Sequence, residues 1–299
     1  MSPADPQTEP AAPRRRVRAP LLALVALTGA ALLGLALSGV ADRAGAANVQ
    51  AGLQRALVAF GLARALNGVI SVVQGTEVAI QPAGVGINLA PGQILDPVND
   101  LVERFSWVML AASTSFGVQR LLLEVLAWPG VSIALGLLLL LLLLALWQQR
   151  GWLAGRRGWL LRLALFVAML RFLIPLLALL SEGIHHGFIE PRYAAAVAGL
   201  EQASDQLGQL AEGESSEHPD QASLLNRLQR LYDETGAALD VQQRLADIKT
   251  LAARTTEQTI ELISIFVFQT ILLPLAFLWL LRGAYRMLVG AWRGVLTRN

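Results

Sequence analysis

Arg171 is the residue whose placement most demands a chemical explanation, because it stands well inside an apolar run from Leu160 to Leu180. A guanidinium in hydrocarbon is costly and normally faces a protein interior or water. Arg171 lies nine residues before Leu180, and Gln269 lies seven after Leu262, the start of a later apolar run read as antiparallel. Helical rise puts both roughly 10 to 14 Å below the outer edge of such a run, so the spacing predicts that they bond. Pro175 withholds the amide that would have bonded the carbonyl of Arg171, and Pro274 kinks the later run near the same level. Three roles are open to such a group. It lines an ion or anion path or a moving element, it clamps helices together, or it snorkels outward.

The other polar candidates are weaker. Arg162 sits near the inner end of the same run and reaches the headgroups along its apolar stem. Glu257 and Glu261, one helical turn apart, either attract cations or form a solvated face. Glu182, His185 and His186 have the i, i+3, i+4 spacing that could bring a carboxylate and two imidazoles to a metal, or make a pH sensor. Adjacent histidines point about 100° apart on a helix, however, so no metal is expected, and a polar membrane-interface role fits better. His218 is isolated in a turn. Ser106, Ser113 and Ser115 have no neighbouring base to activate them and read as small residues for helix packing. With no catalytic constellation, nucleotide loop or strong metal motif, neither an enzyme nor a cofactor is expected.

The elements that must position these residues are written for a bilayer. Four charge-poor stretches, 20–41, 125–147, 160–180 and 262–281, each approach the roughly 20 residues that a helix needs to cross about 30 Å of hydrocarbon. The fold class expected is an all-α polytopic membrane protein with four transmembrane helices. Arginines cluster in the basic tail 1–19, in the loop 148–159 and in the amphipathic tail 282–299. Short basic segments stay cytoplasmic, so both termini face in and the loops 42–124 and 181–261 face out. Lys249 is the only lysine among 24 basic residues, which with heavy use of Ala, Leu and Gly suggests a GC-rich bacterium. The expected location is therefore its inner membrane, with the loops in the periplasm. Nucleic acid is not an expected partner, since the net charge of +2 averages a basic inner face with an acidic outer lobe. Ala44-Gly45-Ala46 after the first stretch resembles a signal-peptide cleavage site, but the apolar run is longer than a signal core, so retention as an anchor is expected.

The first outer loop predicts a helix over 47–73 with Val49, Leu53, Leu57, Phe60 and Leu66 on its apolar face. Alternation around Pro82-Ala83-Gly84 predicts a short β-hairpin, and Asp96-Pro97 a helix start. The charge-free segment 105–118 is too short to span, and Trp128-Pro129-Gly130 bends the chain into the second span. The second outer loop reads as a helical hairpin, Pro191 to Ala211 and Gln221 to Gln258, with coiled-coil character and an acidic turn at 212–220. Its returning arm carries Val241, Leu245, Ile248, Ala252 and Thr255 at heptad-like spacing and meets no breaker before the fourth span. Cysteine is absent, so these loops fold by packing alone. With so much chain in outer helices and so little inside, the leading expectation is a scaffold or signal-coupling protein that binds a partner or a second copy. An oligomeric channel or transporter using the polar groups between the third and fourth spans is the alternative.

Overall fold

The computed structural model describes residues 18–75, 79–80, 87–88, 92–148, 152–215 and 224–297. It is built from α1 (Arg18–Ser38), α2 (Val40–Gly75), the two-residue β1 (Ala79–Ile80) and β2 (Ile87–Asn88), and α3 (Gly92–Leu126). Then come α4 (Pro129–Trp147), α5 (Arg157–Ile184), α6 (Glu190–Ser215), α7 (Leu224–Val267) and α8 (Leu273–Thr297). β1 and β2 pair antiparallel, Ala79 opposite Asn88 and Ile80 opposite Ile87. The expected turn at Pro82-Ala83-Gly84 lies outside the described residues, as do the basic residues Arg14 to Arg16 and His218.

Among the described residues five helices are long and apolar enough to cross a membrane: Val40–Gln74, Ile94–Leu126, Pro129–Trp147, Arg157–Gln209 and Leu245–Trp292, with a shorter apolar helix at Leu22–Ser38. The chain is therefore a multi-pass helical protein, and the expected count of four is not confirmed. Two of the five, α2 and α3, fall where the first outer loop was expected. α2 buries Ala56, Ala59 and Ala63 and leaves Leu57, Val58 and Val72 outside, which keeps its hydropathy high all round.

The helices form two units. The first takes in α1, α2 through Ala47, residues Arg120 to Leu179, and Leu275 onward. Gly39 ends α1 in the left-handed region, at φ 63°, which a side chain would make costly by about 1 to 2 kcal/mol. Ser38 Oγ accepts the Val40 amide at the new start, and Arg43 returns a guanidinium hydrogen bond to the Ser38 carbonyl at 3.0 Å. α1 and α4 approach through reciprocal small residues: Gly29 lies against Leu139, and Gly136 against Leu33. Val25, Leu142, Leu146, Leu160 and Leu161 form the core at one end. Part of the leucine run Leu137 to Leu144 in α4 is thus packed, through Leu142 and Leu143. α4 opens with Pro129 at its first position, four residues after the expected start of the second span at 125, and Gly130 is tucked under the Trp128 indole. Arg157 donates to the Ala145 carbonyl at 2.7 Å and to that of Gln148, capping the end of α4 where a cation is favoured.

The second unit comprises 48–119 and 180–274. Each of its long helices buries a seam with a seven-residue period. On α2 the seam is Val49, Ala56, Ala59, Ala63, Leu66, Ile70 and Val73; on α3 it is Leu95, Val98, Val102, Phe105, Met109, Ala112 and Phe116. Of the face expected for α2, Val49 and Leu66 are buried and Leu53 and Phe60 half-buried, but Leu57 is 50% exposed while the small residues beside it are inside. Small residues win because they let helices close in. Gly52 faces the Phe116 ring, where a Cβ would come within 2.5 Å of Cε1. α6 contributes Ala196, Leu200, Ala203 and Leu207; α7 contributes Ile248, Thr255, Thr259, Leu262 and Phe266.

Several helix boundaries differ from expectation: α2 begins at Val40, not at 47, and α6 runs to Ser215, into the expected acidic turn. α3 starts at Gly92, so Pro97 lies inside it, and Asp96 is not its cap but accepts a 2.7 Å hydrogen bond from Gln74 of α2. Pro191 does not begin a separate helix. The chain runs from α5 into α6 through a π turn, His185–Ile189, and from α7 into α8 through a second, Phe268–Leu272. In each, the closing amide reaches five residues back, Glu190 to His185 and Leu273 to Phe268, and the very next residue is proline, Pro191 or Pro274. A proline ring clashes with the carbonyl four residues earlier and cannot donate to it; widening the preceding turn moves that carbonyl away.

Candidate functional site

Polar groups gather at two places. In the first unit, Arg171 is 1% exposed and fully engaged. Its Nη1 and Nη2 donate to the two oxygens of Asp42 at 2.7 and 2.6 Å, its Nε to Ser132 Oγ at 3.2 Å, and Nη2 also to the Ala36 carbonyl at 3.1 Å. One guanidinium thus joins the end of α1, the start of α2, α4 and α5. The break at Gly39 is what turns Asp42 out of the line of α1. Gly45, three residues on, lies against the Pro175 backbone, where a Cβ would come to 3.0 Å of its Cα. That glycine and that proline fix the approach of α2 to α5 beside the charge.

The second place is in the second unit, at the π turns. Widening the helix by one residue aims successive side chains apart. His185 is buried and meets Gln269 of the second π turn, Nδ1 to Nε2 at 3.1 Å, whereas His186 is 60% exposed. His186 lies between two carboxylates, Nε2 at 3.0 Å from Glu182 Oε1 and Nδ1 at 2.7 Å from Glu190 Oε2. Glu182 in turn accepts both forks of Arg55 from α2, at 3.3 and 2.7 Å. Tyr193 donates to the Arg55 carbonyl at 3.3 Å and stacks edge-on with His185 on one side and Phe266 on the other. Arg55, His185, His186, Glu190 and Tyr193 line an open cavity of about 410 Å³ that also includes Glu201.

Glu182, His185, His186 and Glu190 follow the apolar stretch that ends at Leu180. Burial pushes the Glu182 carboxyl up, but the hydrogen bond and charge of Arg55 outweigh it and hold it below its ordinary value. Burial, then the Arg55 charge, lowers His185 from its ordinary value. The hydrogen bond with Glu190 raises His186, and the same bond lowers Glu190.

The expected bond between Arg171 and Gln269 is replaced by two others. Asp42 holds Arg171, and His185 holds Gln269, fourteen residues further along than Arg171. Equal distance from the ends of two apolar runs did not mean equal level, because hydropathy locates such ends only to within a few turns. Arg162 and Glu257 are exposed, Glu261 is half-buried, and Pro175 is buried within α5. Ser106 and Ser113 bond the carbonyls of Val102 and Met109 within their own helix, as packing residues do. Among the described residues no group of three histidines, aspartates or glutamates is placed to hold a metal ion. Sequence reasoning missed Asp42, Ser132, Arg55 and Tyr193, whose partners lie 39 to 138 residues away. Glu190 was legible, since it stands four residues after His186.

No family model matches the chain, and no curated protein or solved structure matches it either.

Proposed function

We propose that this protein is a non-enzymatic scaffold or signal-coupling component of a bacterial inner membrane, acting through the helices of its second unit on a protein partner or a second copy. The observation that carries the reading is that all four passages of the chain between the units fall inside helices: α2 at Ala47, α3 at Gln119, α5 at Leu179 and α8 at Pro274. A rearrangement in one stretch of such a helix has a continuous backbone along which to act. The polar clusters fit this role, because their members hold one another instead of converging on a position for substrate. The second unit consists almost wholly of the two stretches expected outside the membrane, and its exposed apolar residues, Leu57, Val72 and Trp107, supply contact area for a partner. The channel alternative has less support, since Arg171 is neutralised by Asp42 and Gln269 is engaged by His185.

The first span belongs to the working protein. Cleavage after Ala46 would remove Asp42 and leave Arg171 without its counter-charge, so α1 is retained as an anchor. With the arginine clusters inside, reporters fused after Arg156 should read cytoplasm and those inserted after Ser215 periplasm; a periplasmic reading at Arg156 overturns the topology. For the coupling role, photo-crosslinking residues at Leu57, Val72 and Trp107 in living cells should each yield a discrete protein adduct, identified by mass spectrometry. Adducts with lipid alone at all three positions would remove the scaffold reading.

A further inference from the structure

We propose that the cluster at the first π turn is a proton-sensing site, in which His186 carries the proton and the brace from Arg55 through Glu182 to the turn is what the proton closes. The proposal rests on the function above only for what is regulated; the sensing itself is a property of this chain.

The geometry fixes the charge of His186. Both ring nitrogens face carboxylate oxygens, at 3.0 Å on the Glu182 side and 2.7 Å on the Glu190 side. A neutral imidazole has one N–H and one lone pair, and the lone pair would be turned against a carboxylate. Only the imidazolium donates to both. The resulting chain alternates in sign: Arg55 positive, Glu182 negative, His186 positive, Glu190 negative. It begins on α2, enters the last turn of α5, crosses the π turn and ends on the first residue of α6.

Loss of the proton must open one of the two contacts. Glu182 already accepts two donors from Arg55, whereas Glu190 is bonded through His186. The remaining N–H therefore stays on Nδ1 toward Glu190, and the contact between Nε2 and Glu182 opens. The π turn is then no longer braced to Arg55, while the adjacent His185 still ties its inner side to Gln269. The proton on an exposed side chain thus sets how firmly the turn that carries a buried bond is held.

The groups facing His186 are Glu182 of α5, Glu190, Tyr193 and Glu201 of α6, His185 of its own turn, and Arg55 of α2, with neutral Gln269 beyond His185. The balance favours the cation, in line with its raised affinity. A group raised on folding contributes fully below its unfolded value, near 6.5, and loses that contribution as pH rises through the folded value. His185 has the opposite sign and responds on the acid side of 6.5. The alkaline response therefore belongs to His186.

The test uses the full chain in lipid nanodiscs, with histidine ring nitrogens labelled for NMR and the three resonances assigned by His185→Gln, His186→Gln and His218→Gln. His186 is expected to titrate above 6.5, and Glu190→Gln to lower its midpoint by about one unit or more. The absence of cysteine allows spin labels at Leu57 and Phe188, both exposed, as the mechanical readout. Their separation should change across the His186 midpoint and become independent of pH in His186→Gln. Should that variant fail to fold, Glu190→Gln retains the histidine and must move the distance change with the new midpoint. A His186 midpoint at or below 6.5, or a label separation that ignores its titration, overturns the proposal. Because neither readout involves a partner, the sensing can stand or fall separately from the scaffold role.

Discussion

Arg171→Leu is expected to destabilise the protein by about 3 to 5 kcal/mol, as is Asp42→Leu, because each leaves the other charge buried without its partner. The double substitution should cost far less than the sum. Removing both charges removes the desolvation that the pair was answering, and a buried pair exchanged for apolar groups is often nearly neutral. Ser132 and the Ala36 carbonyl remain, so some loss persists in the double variant. Unfolding of the purified protein in micelles, titrated with a denaturing detergent, measures all three. Additive losses would mean that the 2.6 Å contact does not act as a unit. Gln269→Leu, whose bond is to His185, should add independently to Arg171→Leu, since the two share no partner.

The second large effect lies in the second unit. Phe105 is 0% exposed in the middle of the α3 seam, and Phe105→Ala is expected to cost about 3 to 5 kcal/mol through lost transfer energy and the cavity left behind. Leu57→Ala, on α2, removes a comparable apolar side chain from the surface and should change stability by no more than about 0.5 kcal/mol. The pair is measured by the same unfolding titration. A loss at Leu57 as large as that at Phe105 would show that Leu57 is covered in the assembled protein, a result that the crosslinking at the same residue would also detect.

Leu57 shows why the helices were legible and their faces were not. Any reading that follows large apolar residues assigns the inside of α2 to Leu53, Leu57 and Phe60. The actual seam follows Ala56, Ala59 and Ala63, because close approach was selected over side-chain volume. Hydropathy carries the first kind of information and not the second. The same limit applies to the spans: α2 and α3 are apolar enough to cross, and hydropathy alone does not separate a membrane helix from one buried by its neighbours. Prolines were better guides. Pro274 was read as a kink, and it closes a π turn; Pro191 was read as a helix start, although the same chemistry operates there. Polar sites were legible only where their members are near in sequence. His186 with Glu182 or Glu190 is a pattern on one helix, whereas Arg55 with Glu182 spans 127 residues and leaves no local trace.

The bond between Arg171 and Asp42 also constrains the order in which the protein can be made. Asp42 leaves the ribosome 129 residues before Arg171, so the acid is already in place when the third apolar run meets the translocon. A chain started after Ala47 would present the same arginine without Asp42, so the opening turn of α2 supplies the partner that α5 needs.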